Sequence, residues 1–111
     1  MAQDNNLSKV SVSKGDEGFT PDKASTGALS RWLESDKQRL RVVEYPVGYE
    51  ADHVCYDGHA FYMVSGKINI ELGEEISSWS EGDAFIIPDG VPHKVTNSFE
   101  AAARVVVVDN K

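Results

Sequence analysis

The clearest hydrophobic pattern in the chain lies at residues 67–72, where Ile68, Ile70 and Leu72 alternate with Lys67, Asn69 and Glu71. A period of two is that of a β-strand with one buried face. Apolar or β-forming runs at 40–45, 59–64, 76–79, 84–87, 93–97 and 102–108 predict further strands. Pro46-Val47-Gly48, Ser65-Gly66, Gly73-Glu74-Glu75, Ser80-Glu81-Gly82-Asp83 and Pro88-Asp89-Gly90 punctuate them as turns. Short strands at roughly 8–12-residue spacing predict an all-β sandwich or barrel. Leu29, Trp32 and Leu33 fit either one helical turn or the start of a strand. Residues 1–24 read as an N-terminal arm, broken by Gly15, Gly18 and Pro21, in which Val10 and Val12 alternate with serines as a short edge strand would. Residues 25–111 form the single domain that a chain of 111 residues suits.

Composition narrows the function. With 18 acidic against 11 basic side chains the net charge is −7, which argues against bulk attraction to nucleic acid or an anionic membrane. No apolar stretch approaches the roughly 18 residues of a membrane span, and the polar start lacks signal-peptide character. A cytoplasmic location is the expectation. One cysteine forms no internal disulfide, so stability comes from the core, a metal or an oligomer.

The candidate chemistry sits in His53, Cys55, His59 and His93, which include every histidine and the only cysteine. Histidine and cysteine ligate soft or borderline divalent metals. His53 and Cys55, two apart, share a face if their segment is a strand. A nucleophilic Cys55 is the weaker reading, because no acid partner is identifiable.

Gly82, Pro88, Gly90, His93 and Asn97 reproduce in full the spacing of the second motif of the cupin superfamily, which the chain therefore resembles over about residues 38–108. The first motif is matched in part, by Gly48, His53 and Gly66. Cys55 stands where cupins carry a second histidine and His59 where they carry a glutamate. The resemblance implies a double-stranded β-helix, or jelly-roll barrel, with His53, Cys55, His59 and His93 as metal ligands. Thiolate in place of carboxylate moves preference from Mn and Mg towards Zn, Fe or Ni. It also implies a small-molecule ligand, a small polar metabolite of carboxylate or sugar-acid type, and a homodimer. Arg41 or Arg104, if inward, would grip a carboxylate. Tyr49, Phe61, Met63 and Phe85 are the other candidate ligand-binding residues, Phe61 and Met63 sharing the face of His59. Asn97 is expected to brace the barrel or turn, and Asp52 or Asp57 to hydrogen-bond a ligating histidine. A metal-dependent enzyme is the leading reading. The alternative is a non-catalytic binding or redox-sensing cupin with a closed site of three histidines and Cys55.

Overall fold

The computed structural model describes residues 8–13 and 15–110. Nine strands are present among them: β1 (Thr20–Pro21), β2 (Leu29–Glu34), β3 (Gln38–Tyr45), β4 (His59–Ser65), β5 (Lys67–Leu72), β6 (Glu75–Ser80), β7 (Ala84–Ile87), β8 (Lys94–Thr96) and β9 (Ala103–Asn110). They form a six-stranded sheet in the order β1-β2-β3-β9-β4-β7 and a three-stranded sheet in the order β6-β5-β8. Every named pairing is antiparallel, and the described residues contain no helix. The all-β jelly-roll expectation therefore holds.

Strand alternation builds the core. On β9, Ala103, Val105 and Val107 are fully buried and the residues between them are partly exposed. Phe61 and Met63 of β4 and Val43 and Tyr45 of β3 face them, and Ile68, Ile70 and Val95 close the core from the smaller sheet. Phe85 stacks between Phe61 and Trp79, with ring centroids 4.8 and 4.1 Å away, tying the two sheets together.

One glycine is dictated by space as well as by backbone. Gly66 turns β4 into β5 at φ 76°, and a Cβ there would lie 2.6 Å from the Ala102 carbonyl oxygen. Only glycine meets both demands without strain.

Residues 29–34 settle as a strand, not a helical turn. The expected edge strand around Val10 and Val12 is absent: residues 8–13 hold no strand. That segment is held instead by the Ser11 and Val12 carbonyls, which accept from Arg31 and Arg104; the same two arginines donate to the Glu17 and Gly15 carbonyls. Residues 1–7 of the expected arm lie outside the described residues.

Candidate metal centre

His59 opens β4, directly opposite Asp109 of β9 and Ile87 of β7. His93 follows the Pro88–Pro92 turn, in which Gly90 has φ 85° and donates its N–H to the Tyr56 carbonyl at 2.8 Å. Cys55 and His93 face one another in an isolated antiparallel bridge. Each donates its N–H to the other's carbonyl at 2.9 Å. The donor atoms of Cys55, His59 and His93 all lie within 4.8 Å of one another, and Cys55 Sγ is 3.5 Å from His59 Nε2.

Chemistry fixes both tautomers. Burial alone would raise the Asp109 pKa. Hydrogen bonds from His59, Arg41 and Arg39, with the Arg41 charge, outweigh it and hold the carboxyl well below the usual range. An ionised carboxylate only accepts, so His59 Nδ1 donates to Asp109 Oδ1, at 2.6 Å. His93 Nδ1 donates to the Val91 carbonyl at 2.9 Å. Burial is the main cause holding the His93 pKa below its ordinary value, and nearby His59 lowers it further. With each Nδ1 engaged, Nε2 is the nitrogen that either ring turns towards a metal. A carboxylate or carbonyl on the far nitrogen is the usual outer support of a metal-ligating histidine.

The three donors line a cavity of about 50 Å³ together with Ala24, Ser25, Tyr45, Tyr49, Phe61 and others. Tyr45 and Tyr49 are tilted against each other with ring centroids 4.8 Å apart. Burial pushes both phenols above the ordinary tyrosine range, so they remain neutral hydrogen-bonding groups at pH 7.

Sequence reasoning placed His59, His93 and Cys55 together; His53 needs correcting. Residues 51–58 are not a strand apart from the single bridge at Cys55, so the two-residue alternation fails there. The His53 side chain is 63% exposed and its Nδ1 binds Asp52 Oδ1 at 2.6 Å. It lines the rim of the same cavity but stands outside the converging group of three.

Neither candidate arginine is available for a ligand carboxylate. Arg41 is buried between Asp22 and Asp109, and Arg104 is held by Glu44 and Asp16. Among the expected ligand-binding residues Tyr49 and Phe61 line the cavity. Met63, fully buried, and Phe85, inside the aromatic stack, do not. Asn97 is buried and braces the turn, donating to the Tyr45 and Ala101 carbonyls and accepting from Phe99 N–H.

Asp109 is the functional residue that the sequence pattern left unnoticed. Its signal was there: a carboxylate continues the inward series Ala103, Val105, Val107 on β9, where an apolar residue is expected.

The donors fit a divalent metal. Ligands at ~2.0–2.3 Å from a tetrahedral zinc are separated by about 3.3–3.8 Å; the Cys55–His59 separation of 3.5 Å meets this, and the group as a whole, which spans 4.8 Å, would draw in by about 1 Å around an ion. Cys55 Sγ and the Nε2 atoms of His59 and His93 would hold the ion. It would supply Lewis acidity and a more acidic bound water.

No curated protein matches the sequence. Among solved structures, the polyketide cyclase RemF from Streptomyces resistomycificus superposes with a TM-score of 0.76 at 18% identity, covering 94% of this chain and 79% of its own. A Cupin 2 conserved barrel domain protein from Salinispora arenicola gives 0.73 at 12% identity, covering 92% and 89%. The cupin domain of Schizosaccharomyces pombe Cnp3 gives 0.67 at 22%, covering 78% of this chain and 66% of that one. These likenesses are of fold. The family model described as "Cupin domain" matches residues 41–109, well over half the chain, and the protein belongs to the cupin family.

Proposed function

We propose that this protein is a metal-dependent cupin acting on a small polar metabolite at a three-ligand site formed by Cys55, His59 and His93. One observation carries the reading: among the described residues three donors converge, not four, and they face a cavity. Three protein ligands with a position left for water or substrate is the arrangement of catalytic zinc sites, whereas closed four-ligand sites are structural. Zn, Fe and Ni suit an imidazole and thiolate donor set.

The chain's own groups have distinct roles. Asp109 and the Val91 carbonyl hold the two imidazoles with Nε2 free. Phe61 gives the cavity an apolar wall, and Tyr45 and Tyr49 offer neutral polar groups to a bound molecule. Lys94, on the same lining, is the cation most suited to a carboxylate now that Arg41 and Arg104 are taken. The small cavity favours entry of only the reacting end of a metabolite, against the roughly 300–1,000 Å³ of sites that enclose a drug-sized ligand.

The test is metal analysis of the wild type and of His53→Ala after purification without chelator. About one divalent transition metal per chain in both supports an open three-ligand site. Loss of metal in His53→Ala would favour the alternative, a closed site for structure or redox sensing. Failure of the wild type to retain Zn, Fe or Ni after reconstitution would defeat the metal reading.

A further inference from the structure

The carboxylate that orients His59 is itself held from behind. Arg41 donates to Asp109 through Nε at 2.7 Å and Nη2 at 2.9 Å. Its remaining nitrogen, Nη1, donates to Asp22 Oδ2 at 2.9 Å. Asp22 is buried and fully engaged: Oδ2 also accepts from the N–H groups of Ala24 and Ser25, and Oδ1 from the Ser30 hydroxyl at 2.6 Å. The side chains of Asp22, Arg41 and Asp109 are 2%, 4% and 7% exposed. An unbroken buried series thus runs from a turn at residues 22–25 to a candidate metal ligand. That turn precedes the family-matched region, and its Ala24 and Ser25 form part of the cavity wall.

Two physical consequences follow. The first is positional. A guanidinium clamped between two carboxylates has one geometry; with Asp22 gone it retains only Asp109 and is free to turn, carrying Asp109 away from His59 Nδ1. The second is electrostatic. Asp22 and Asp109 balance Arg41 and Arg39, which also binds Asp109, at 3.0 Å. Neutralising Asp22 leaves an uncompensated positive charge, weakly screened by its burial, beside a site for a cation.

We propose that Asp22 is a positioning residue for the metal site: acting through Arg41 and Asp109, it holds His59 with Nε2 presented to Cys55 and His93. The turn at 22–25 is therefore a working part of the site, and not merely an attachment of the N-terminal segment. The proposal rests on the three-ligand reading above, and its test separates the two.

The experiment uses the full chain with Zn(II), its affinity measured by competition with a chromophoric chelator, and with Co(II), whose absorption bands report ligand geometry. Asp22→Asn is compared with wild type and with Arg31→Gln, which loosens the N-terminal segment at a different anchor. Outer partners of metal ligands typically contribute 10–100-fold in affinity, and Asp22→Asn should weaken Zn(II) binding about tenfold and alter the Co(II) bands. Arg31→Gln should do neither, even at equal loss of thermal stability. If Asp22→Asn fails to fold, Ser30→Ala removes one hydrogen bond from Asp22 and should show the same effect, smaller. Unchanged Zn(II) affinity in the folded Asp22 or Ser30 variant overturns the proposal, as does an equal loss in Arg31→Gln. If wild type itself binds neither metal, the three-ligand reading fails, and 15N spectra of His59 in the metal-free proteins decide the positioning role. A wild-type Nδ1–H tautomer that becomes mixed in Asp22→Asn sustains it; identical spectra refute it.

Discussion

Asp109→Asn tests the centre of the site and of the barrel at once. The wild-type carboxylate accepts two hydrogen bonds from Arg41, one from Arg39 and one from His59. Asparagine has nearly the same shape but offers a single carbonyl oxygen and presents an NH2 to groups that all donate. Arg41 stays buried with Asp22 as its remaining carboxylate. Breaking a buried pair by removing one partner costs about 3–5 kcal/mol, and the His59 support adds a loss of roughly 10–100-fold in metal affinity. Urea denaturation of the metal-free protein isolates the first quantity, and chelator competition the second. Acid supplies a further check. Because the folded-state pKa of Asp109 lies below its unfolded value, its contribution is complete above the unfolded pKa, near 3.9, and is lost as pH falls towards the folded one. Stability of the wild type should fall steeply below about pH 4, and that of Asp109→Asn less so. A destabilisation under about 1 kcal/mol, the range of exposed ion pairs, with metal affinity unchanged, would refute the reasoning.

Cys55→Ser should leave the fold intact and weaken Zn(II) retention, and bound metal should slow alkylation of the wild-type thiol. Equal metal content in both proteins and equal alkylation with and without chelator would make Cys55 a packing residue. Gly66→Ala should destabilise by at least about 1–3 kcal/mol, the usual cost of a strained backbone position, since the new Cβ meets the Ala102 carbonyl and Ala103 Cα; a wild-type melting temperature would contradict this. Asn97→Ala leaves the buried Tyr45 carbonyl without its Asn97 donor and should cost about 1–3 kcal/mol, measured by denaturation with metal removed.

The strands from β3 to β9 were legible because glycine and proline turns separate them and their apolar residues face a common core. β2 was not. Its buried residues include Ser30 and Arg31, whose partners are Asp22 and the carbonyls of Ser11 and Glu17, so hydrophobic alternation fails to mark its inner face. The same limit applies at the site. His59 and His93 stand at spaced motif positions, whereas His53 was placed by an alternation that a non-strand segment does not obey. Asp109 acquires its role from Arg41 and His59, 68 and 50 residues away, and no local pattern announces partners at that distance.

The reciprocal backbone bonds between Cys55 and His93 separate the frame of the site from its chemistry. Main-chain atoms, which every residue but proline supplies in full, set where the side chains at 55 and 93 begin. A thiolate, imidazole or carboxylate can be exchanged at position 55 without rethreading the chain or shifting its partner across the bridge. Such a barrel acts as a socket. If the site holds a metal as proposed, its preference could drift by single substitutions while the topology stays constant, and a designer could vary hard and soft donors at one position with the rest of the scaffold held fixed.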